Sequence, residues 1–322
     1  MNIGILGAGN IAGNMARTLH EMEDATFYAV GARDKERAEA FAKKYGAKKA
    51  YGSYEELVND PEVELIYVAT PHSHHFEHAK LCIEHGKPVL CEKAFMANAE
   101  QAREICKLAE ERNVFLTEAI WTRYLPSRKM IDEVIQRGEI GEVTFVTANL
   151  GYDIKDVERI WNPALAGGGL LDIGIYPLTF ISMVLGNDIK EIVSTCTKTE
   201  TGVDEQCAII LKYENGVMAV AHCSILCGTE QAGFVYGTEG YLMAENINNV
   251  TGIKVYTKDR KFVKEYKVPE QITGFEYQVR ASMKAIREGK IECEEIPHAE
   301  SIFMMELMDK LRADWGIRYP FE

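Results

Sequence analysis

Ile3-Gly4-Ile5-Leu6-Gly7-Ala8-Gly9-Asn10-Ile11-Ala12 decides the fold. A short apolar run ends at Leu6, a G-x-G-x-x-A stretch follows at once, and Ile11, Met15 and Leu19 then recur at helical spacing. In such a turn Gly7 permits the sharp bend, Gly9 lets a ligand approach the backbone, and Ala12 lets helix lie close on strand. The helix start turns its unpaired N–H groups toward the loop, where an anion is favoured. A glycine motif alone is weak, but set between strand and helix it reads as a dinucleotide-binding turn. Ala8, Asn10 and Ile11 then share the cofactor contact with Gly7, Gly9 and Ala12.

The second strand, Thr26 to Gly31, decides which dinucleotide. An NAD site usually carries Asp or Glu near its end to hold the ribose 2′-hydroxyl. Here the chain reads Gly31-Ala32-Arg33-Asp34-Lys35-Glu36-Arg37. A guanidinium fork suits a 2′-phosphate that a carboxylate would repel. Arg33 is the first candidate and Arg37, one turn later, the second, so NADP(H) is preferred and NAD(H) accepted. The competing reading has Asp34 capping a helix and both arginines solvated.

Val63 to Ala69 is the next buried strand, and Thr70-Pro71-His72-Ser73-His74-His75 follows it. Thr70 and Pro71 read as a floor under the nucleotide, with His72 and His75 lining the helix start. His74 and His78 have metal-ligand spacing, but nothing nearby completes a site, so no metal is expected. The next strand, Val89-Leu90-Cys91, ends on Glu92-Lys93. Charges at a buried strand end need partners, and that edge of an open α/β sheet is where ligands bind. Lys93 is therefore the catalytic candidate, with Glu92 beside it at the cofactor; the bland alternative is a solvated pair. An amphipathic helix and the strand Val114–Thr117 lead into Glu118-Ala119-Ile120-Trp121-Thr122-Arg123, where Trp121 and Arg123 complete the expected cofactor contacts. Strand and helix patterns alternate to this point, which indicates a doubly wound parallel sheet of the Rossmann kind. The boundary falls near residue 122, giving domains 1–122 and 123–322.

The second half changes character. Gly167-Gly168-Gly169 opens an apolar helical run, in which Asp172 and Tyr176, four apart, share a face. Beyond Gly186 the pattern is nearly all strand, with Asn215-Gly216 as a hairpin turn. This half reads as an α+β substrate domain with a large, mainly antiparallel open sheet. Ile209, Leu211, Ala219, Ala221 and Cys223 would make one sheet face apolar, a liability on a monomer, so a homodimer through that sheet is expected.

Bulk properties exclude several classes. At 322 residues the chain suits two domains, and a formal charge of −13 argues against nucleic acid and anionic membranes. Eight cysteines without a C-x-x-C pair suit a reducing cytoplasm. A strand begins at Asn2, leaving no room for a signal peptide, and no apolar run reads as long enough to span a membrane.

Together G-A-G-N-I-A, A-R-D-K-E-R-A, T-P-H-S-H-H, C-E-K-A, E-A-I-W-T-R and G-G-G-L-L-D-I-G-I-Y resemble the glucose–fructose oxidoreductase / inositol dehydrogenase (Gfo/Idh/MocA) family over nearly the whole chain. The likeness is greatest to its dimeric dihydrodiol dehydrogenase and NADP-dependent sugar dehydrogenase branch. It implies that Lys93 and Tyr176 are the catalytic groups, with Asp172 alongside. It also implies a substrate with a secondary alcohol or ketone: a sugar or other polyol, an anhydro-sugar or a trans-dihydrodiol. Two departures stand out: Ala94 replaces a common proline that often follows a cis bond, and Tyr176 replaces the histidine of the inositol dehydrogenases. Two other classes use this fold, a nicotinamide-binding sensor or assembly protein without turnover and an NAD-dependent glycosidase. Retention of both Lys93 and Tyr176 counts against the first, and Arg33 against the second.

The pair has a physical rationale. A phenol of pKa near 10 is protonated at neutral pH, a handicap of about 3 units or 4 kcal/mol. An ammonium about 4 Å away, at an effective dielectric of about 20, offers at most roughly 4 kcal/mol to the phenolate. Tyr176 would then serve as general acid in reduction and base in oxidation.

Overall fold

The computed structural model describes residues 1–322, and the chain forms two compact units. The first comprises Met1–Trp121 with Gln271–Glu306, the second Thr122–Glu270 with Leu307–Glu322.

In the first unit β1 (Asn2–Leu6), β2 (Thr26–Gly31), β3 (Lys49–Tyr51), β4 (Leu65–Val68), β5 (Val89–Glu92) and β6 (Leu116–Ala119) form one sheet in the order 3-2-1-4-5-6. Every pairing is parallel. Helices α1 (Asn10–Glu21), α2 (Lys35–Tyr45), α3 (Tyr54–Val58), α4 (His75–Glu84) and α5 (Ala99–Arg112) make the crossovers. β4, β5 and β6 are buried throughout, which is why they read as unbroken apolar runs rather than alternating ones. The order reverses between β1 and β4, so the crevice at their carboxyl ends is the ligand position of such a sheet. β3 and α3 had no periodic signal: β3 is a three-residue edge strand, and α3 is a single turn and a half capped by Ser53.

The return of Gln271–Glu306 to this unit corrects the sequence reading, which left every residue after 122 in the second half. Polar partners explain it. Ile291 O accepts the Leu116 N–H at 2.9 Å, His298 Nε2 faces Leu116 O at 2.9 Å, and Ser301 Oγ donates to Glu118 at 2.7 Å. These bonds occupy the open edge of β6, which periodicity does not report.

The second unit holds an eight-stranded sheet. Its strands are β7 (Val143–Gly151), β8 (Ile189–Lys198), β9 (Asp204–Tyr213), β10 (Met218–Ser224), β11 (Gly233–Gly237), β12 (Gly240–Glu245), β13 (Gly252–Thr257) and β14 (Phe262–Lys267), ordered 14-13-12-11-7-10-9-8. Only the β7–β10 pairing is parallel. The Asn215-Gly216 turn joins β9 to β10 with Gly216 at φ +87°, the left-handed position that favours glycine. Further helices are α6 (Pro126–Gln136), α7 (Glu158–Trp161), α8 (Ile175–Leu185), α9 (Phe275–Arg287) and α10 (His298–Asp314).

α8 packs on β7 and β10 and is buried on all sides from Ile175 to Ser182. At Gly233 an added Cβ would lie 2.5 Å from the Phe180 ring, so glycine sets how closely helix and sheet approach. Contrary to expectation, residues 163–185 are long and apolar enough to cross a membrane, with a mean hydropathy of 1.6. However, 83% of its most apolar 18-residue window is buried within the protein, as befits a core helix.

A second correction concerns the sheet face. Ile209, Leu211, Ala219, Ala221 and Cys223 point inward and are at most 2% exposed within one chain. The outward face carries different residues: Val193, Ile210 and Val220 in one register row, and Phe145, Tyr236, Tyr241 and Tyr256 in another. Alternation along each strand locates two faces, but only the packed helices reveal which one is inside.

Candidate active site

The glycine loop meets its requirements residue by residue. Gly7 sits at φ +110°, its N–H bonded to Gly31 O at 2.9 Å, and a Cβ there would lie 2.7 Å from Ala69 O. Gly9 opens α1 with extended backbone and no side-chain cap, and nothing stands within 4 Å of where its Cβ would be. The first turn of α1 holds no acidic residue. Its N–H groups therefore face open space without a competing anion, which fits a pyrophosphate. Ala12 is fully buried against the sheet. Gly13, passed over in the sequence, lies close under Tyr45: a Cβ there would lie 2.6 Å from the Tyr45 hydroxyl, which would have to swing aside.

At the end of β2, Ala32 is buried and Arg33 exposed. Arg33 forms no ion pair, so its fork is available to a ligand. Asp34 does cap α2, accepting the Arg37 N–H at 3.1 Å, so half of the competing reading holds. Arg37 is not idle: Nη2 donates to Ala8 O at 3.1 Å and ties α2 to the glycine loop. Burial raises the Tyr54 phenol while Arg33 and Arg37 pull it back, which places the phenol near both guanidinium groups. Tyr54 meets His78 edge to face at 4.6 Å, and His78 Nδ1 pairs with Thr70 Oγ1 at 2.9 Å. Burial, helped by His74, His75 and Arg33, pushes His78 down to about 4, so it is neutral at neutral pH. Tyr54 escaped the sequence reading because α3 itself did.

The ends of β4 and β5 are tied together. His75 is fully buried, with Nδ1 facing Ala94 O at 2.9 Å and Phe95 O at 3.2 Å, and Nε2 facing Thr70 O at 2.8 Å. His72 is buried next to it, their rings 5.7 Å apart. Pro71 precedes the short turn of 72–74. Glu92 is buried, accepts a hydrogen bond from the Tyr67 hydroxyl, and takes the Lys93 N–H at 3.2 Å. The Lys93–Ala94 peptide is cis, although alanine replaces the proline. Buried Glu118 accepts the Phe95 N–H at 3.1 Å. Lys93, itself half-buried, thus extends from a backbone fixed on both sides. Trp121 stacks on Phe275 with centroids 4.4 Å apart. Neither Glu118 nor Phe275 was singled out in the sequence.

In the second unit, Leu170–Gly174 forms a π-helical turn that runs into α8 and carries Asp172. Such turns inside α-helices are rare and cluster at functional sites. Asp172 and Tyr176 are buried, and Arg159 Nη1 donates to Asp172 Oδ1 at 2.5 Å. Arg159 lies in a short helix with no apolar period to mark it. Arg123 belongs to this unit, its Nη2 donating to Ser182 Oγ on α8 at 3.0 Å.

A Rossmann unit with this turn, joined to a large open sheet, defines an NAD(P)-dependent oxidoreductase. Residues 1–120 match the oxidoreductase family with an NAD-binding Rossmann fold known as GFO/IDH/MocA, and residues 129–243 match the GFO/IDH/MocA C-terminal domain. The chain is 36% identical over 330 residues to trans-1,2-dihydrobenzene-1,2-diol dehydrogenase of Mus musculus, covering 98% of this chain and 97% of that one. Identity to the Bos taurus enzyme of the same name is 37%, with the same coverage. It therefore belongs to the GFO/IDH/MocA family. Two solved structures share the fold at lower identity. A 3-ketoreductase from Actinomadura kijaniata in complex with NADP and TDP-benzene has a TM-score of 0.88 at 24% identity, covering 97% of each chain. An aldose-aldose oxidoreductase from Caulobacter crescentus complexed with glycerol has a TM-score of 0.89 at 18% identity, covering 98% of this chain and 97% of that one.

Substitution of Gly9 should separate binding from stability. Gly9→Ala places a methyl in open space on an ordinary backbone, so stability should hold within about 0.5 kcal/mol. The same methyl occupies the cofactor's approach, so NAD(P) affinity should fall on the order of tenfold or more. Chemical denaturation with cofactor titration checks both, and unchanged affinity would place the pyrophosphate elsewhere.

Proposed function

We propose that this protein is an NADP(H)-preferring dehydrogenase/reductase acting on a secondary alcohol or ketone of a sugar, anhydro-sugar or trans-dihydrodiol, with Lys93 and Tyr176 as its catalytic pair. The observation that carries the reading is the half-buried Lys93 at the ligand edge of the parallel sheet, its backbone held by Glu92 and by the His75 and Glu118 bonds to residues 94 and 95. A lysine carried on that backbone stands where a ligand of such a sheet binds. Full-length likeness to dehydrogenases of a trans-dihydrodiol supports the substrate class.

The nicotinamide, when bound, supplies the hydride acceptor or donor. Tyr176 gives the hydroxyl proton in reduction and takes it in oxidation, and Lys93 lowers the cost of the phenolate. Asp172, paired with Arg159, lies four residues before Tyr176 and orients the substrate hydroxyl. The backbone N–H groups of α1 hold the pyrophosphate, and Arg33 holds the 2′-phosphate with Arg37 in support. The outward sheet face, with Val193 55% and Ile210 39% exposed, is the surface for a second copy of the chain.

Lys93→Met keeps the stem and removes the charge, so turnover should fall on the order of a thousandfold. Tyr176→Phe should be similarly slow, and the double mutant hardly slower than either, because the two act as one unit. Near wild-type turnover by Lys93→Met beside a dead Tyr176→Phe would break the pair.

For the cofactor, Arg33→Ala should cost about 1.5–3 kcal/mol of charge-assisted bonding, roughly ten- to a hundredfold in NADP affinity, and leave NAD binding nearly unchanged. Equal losses for both cofactors would make Arg33 structural. For assembly, light scattering at micromolar concentration should give twice the 36.2 kDa of one chain, and a particle of one chain's mass sinks the dimer.

A further inference from the structure

We propose that Asp204 is a positioning residue for the Asp172–Tyr176 turn, its buried carboxylate holding the Gly167-Gly168-Gly169 loop from which that turn starts. Asp204 opens β9 and is 1% exposed. Its Oδ2 accepts the Leu170 N–H at 2.5 Å.

The three glycines are explained by what crowds them. A Cβ at Gly167 would lie 2.6, 2.9 and 3.0 Å from the carbonyl oxygens of Ile160, Asn162 and Arg159. Gly168, at φ +120°, has no room for one because Asp204 Oδ1 occupies the place. At Gly169 it would lie 3.3 Å from Asp204 Oδ2. Gly168 N–H donates to Ile160 O at 2.7 Å, and the Tyr319 hydroxyl donates to Gly167 O at 2.8 Å. The same knot thus fixes the segment bearing Arg159, whose guanidinium bonds Asp172.

Stability alone does not account for this carboxylate. Asp204 Oδ1 is buried without a hydrogen-bond partner, a costly arrangement that a neutral residue would avoid. The titratable groups whose charge bears on Asp204 are Arg312 from α10, Tyr319 from the carboxyl-terminal segment, Cys196 from β8 and Cys223 from β10. The hydrogen bond with Cys207, then burial, pushes the Cys223 thiol up, and burial pushes up the Cys196 thiol and the Tyr319 phenol, so all three are neutral near pH 7. Arg312 is already paired with Asp309 at 2.7 Å and Glu322 at 2.8 Å. Little compensation remains for Asp204, and burial pushes its carboxyl up to about 6.

The sign is informative. A raised acid pKa means that the folded protein binds a proton the unfolded chain lacks, between about pH 4 and 6. Asp204 therefore adds stability as pH falls through that window. Its grip on the loop weakens in the same window, because the protonated acid makes a weaker bond and carries an O–H with no acceptor in place. Turnover should fall while the protein stays folded, which ordinary acid denaturation does not produce.

The effect on turnover rests on the proposed role of Tyr176; the effect on the Leu170 amide does not. In the full-length wild type, the amide shift of Leu170 should titrate near pH 6, with kcat falling in the same window. Asp204→Asn should abolish both transitions and lower kcat on the order of tenfold at pH 8, with NADP affinity within about twofold of wild type. A flat Leu170 titration overturns the proposal, as does an unchanged acid limb of kcat in Asp204→Asn. Should that variant not fold, the wild-type titration decides alone. Tyr176→Phe should keep the Leu170 transition; full activity in that variant would sink the catalytic reading and leave Asp204 untouched.

Discussion

Buried carboxylates that grip backbone N–H groups hold the working loops of this protein. Glu92 takes the N–H of Lys93, Glu118 that of Phe95, Asp204 that of Leu170, and Glu276 those of Ile272, Thr273 and Gly274. A loop cannot hold its shape by ladder bonds as a strand does, and at a sheet edge there is little apolar surface to pin it. An ionised oxygen accepts more strongly than a carbonyl, so one acid replaces several weaker contacts. The cost of burying the charge falls on the loops, where geometry matters most. It also puts some of the acidic excess inside the protein rather than on its surface.

The parallel sheet supplies the other half of the arrangement. Because β1, β2, β4, β5 and β6 all run the same way, their carboxyl ends deliver the glycine turn, Arg33, Thr70, Lys93 and Trp121 to one edge. Nothing in those side chains brings them together; strand direction does. Arg37 crosses to the neighbouring loop to bond Ala8 O, and the His75 ring sits between the carbonyls of Thr70 and Ala94, donating to one of them. The edge is thereby braced before any ligand arrives.

Much of this was legible in the chain. Unbroken apolar strands followed by glycine, arginine, histidine or lysine identified the parallel sheet and most of its edge, because burial on both faces leaves a strong sequence signal. What stayed hidden lacks a period. β3 and α3 are too short for one, so Tyr54 went with them. The inward direction of Ile209 and Leu211 depends on the side to which α8 returns, which alternation cannot state. The π-helical turn at Leu170–Gly174 is written in the same apolar letters as an α-helix. Arg159, Asp204 and Glu118 act through single contacts distant in sequence, and such contacts leave no pattern around the residue that makes them.

The return of Gln271–Glu306 to the first unit bears on how the molecule is made. The strands that bind the cofactor are complete by residue 119, yet the partners of the β6 edge are encoded more than 170 residues later. A nascent chain carrying only residues 1–121 would expose that edge, with the buried acid Glu118 lacking Ser301. A first domain folding while the second is still being translated would do so without these partners. The nucleotide-binding unit reaches its final form only once residues 291–301 have been made, after the large sheet of the other unit has been synthesised.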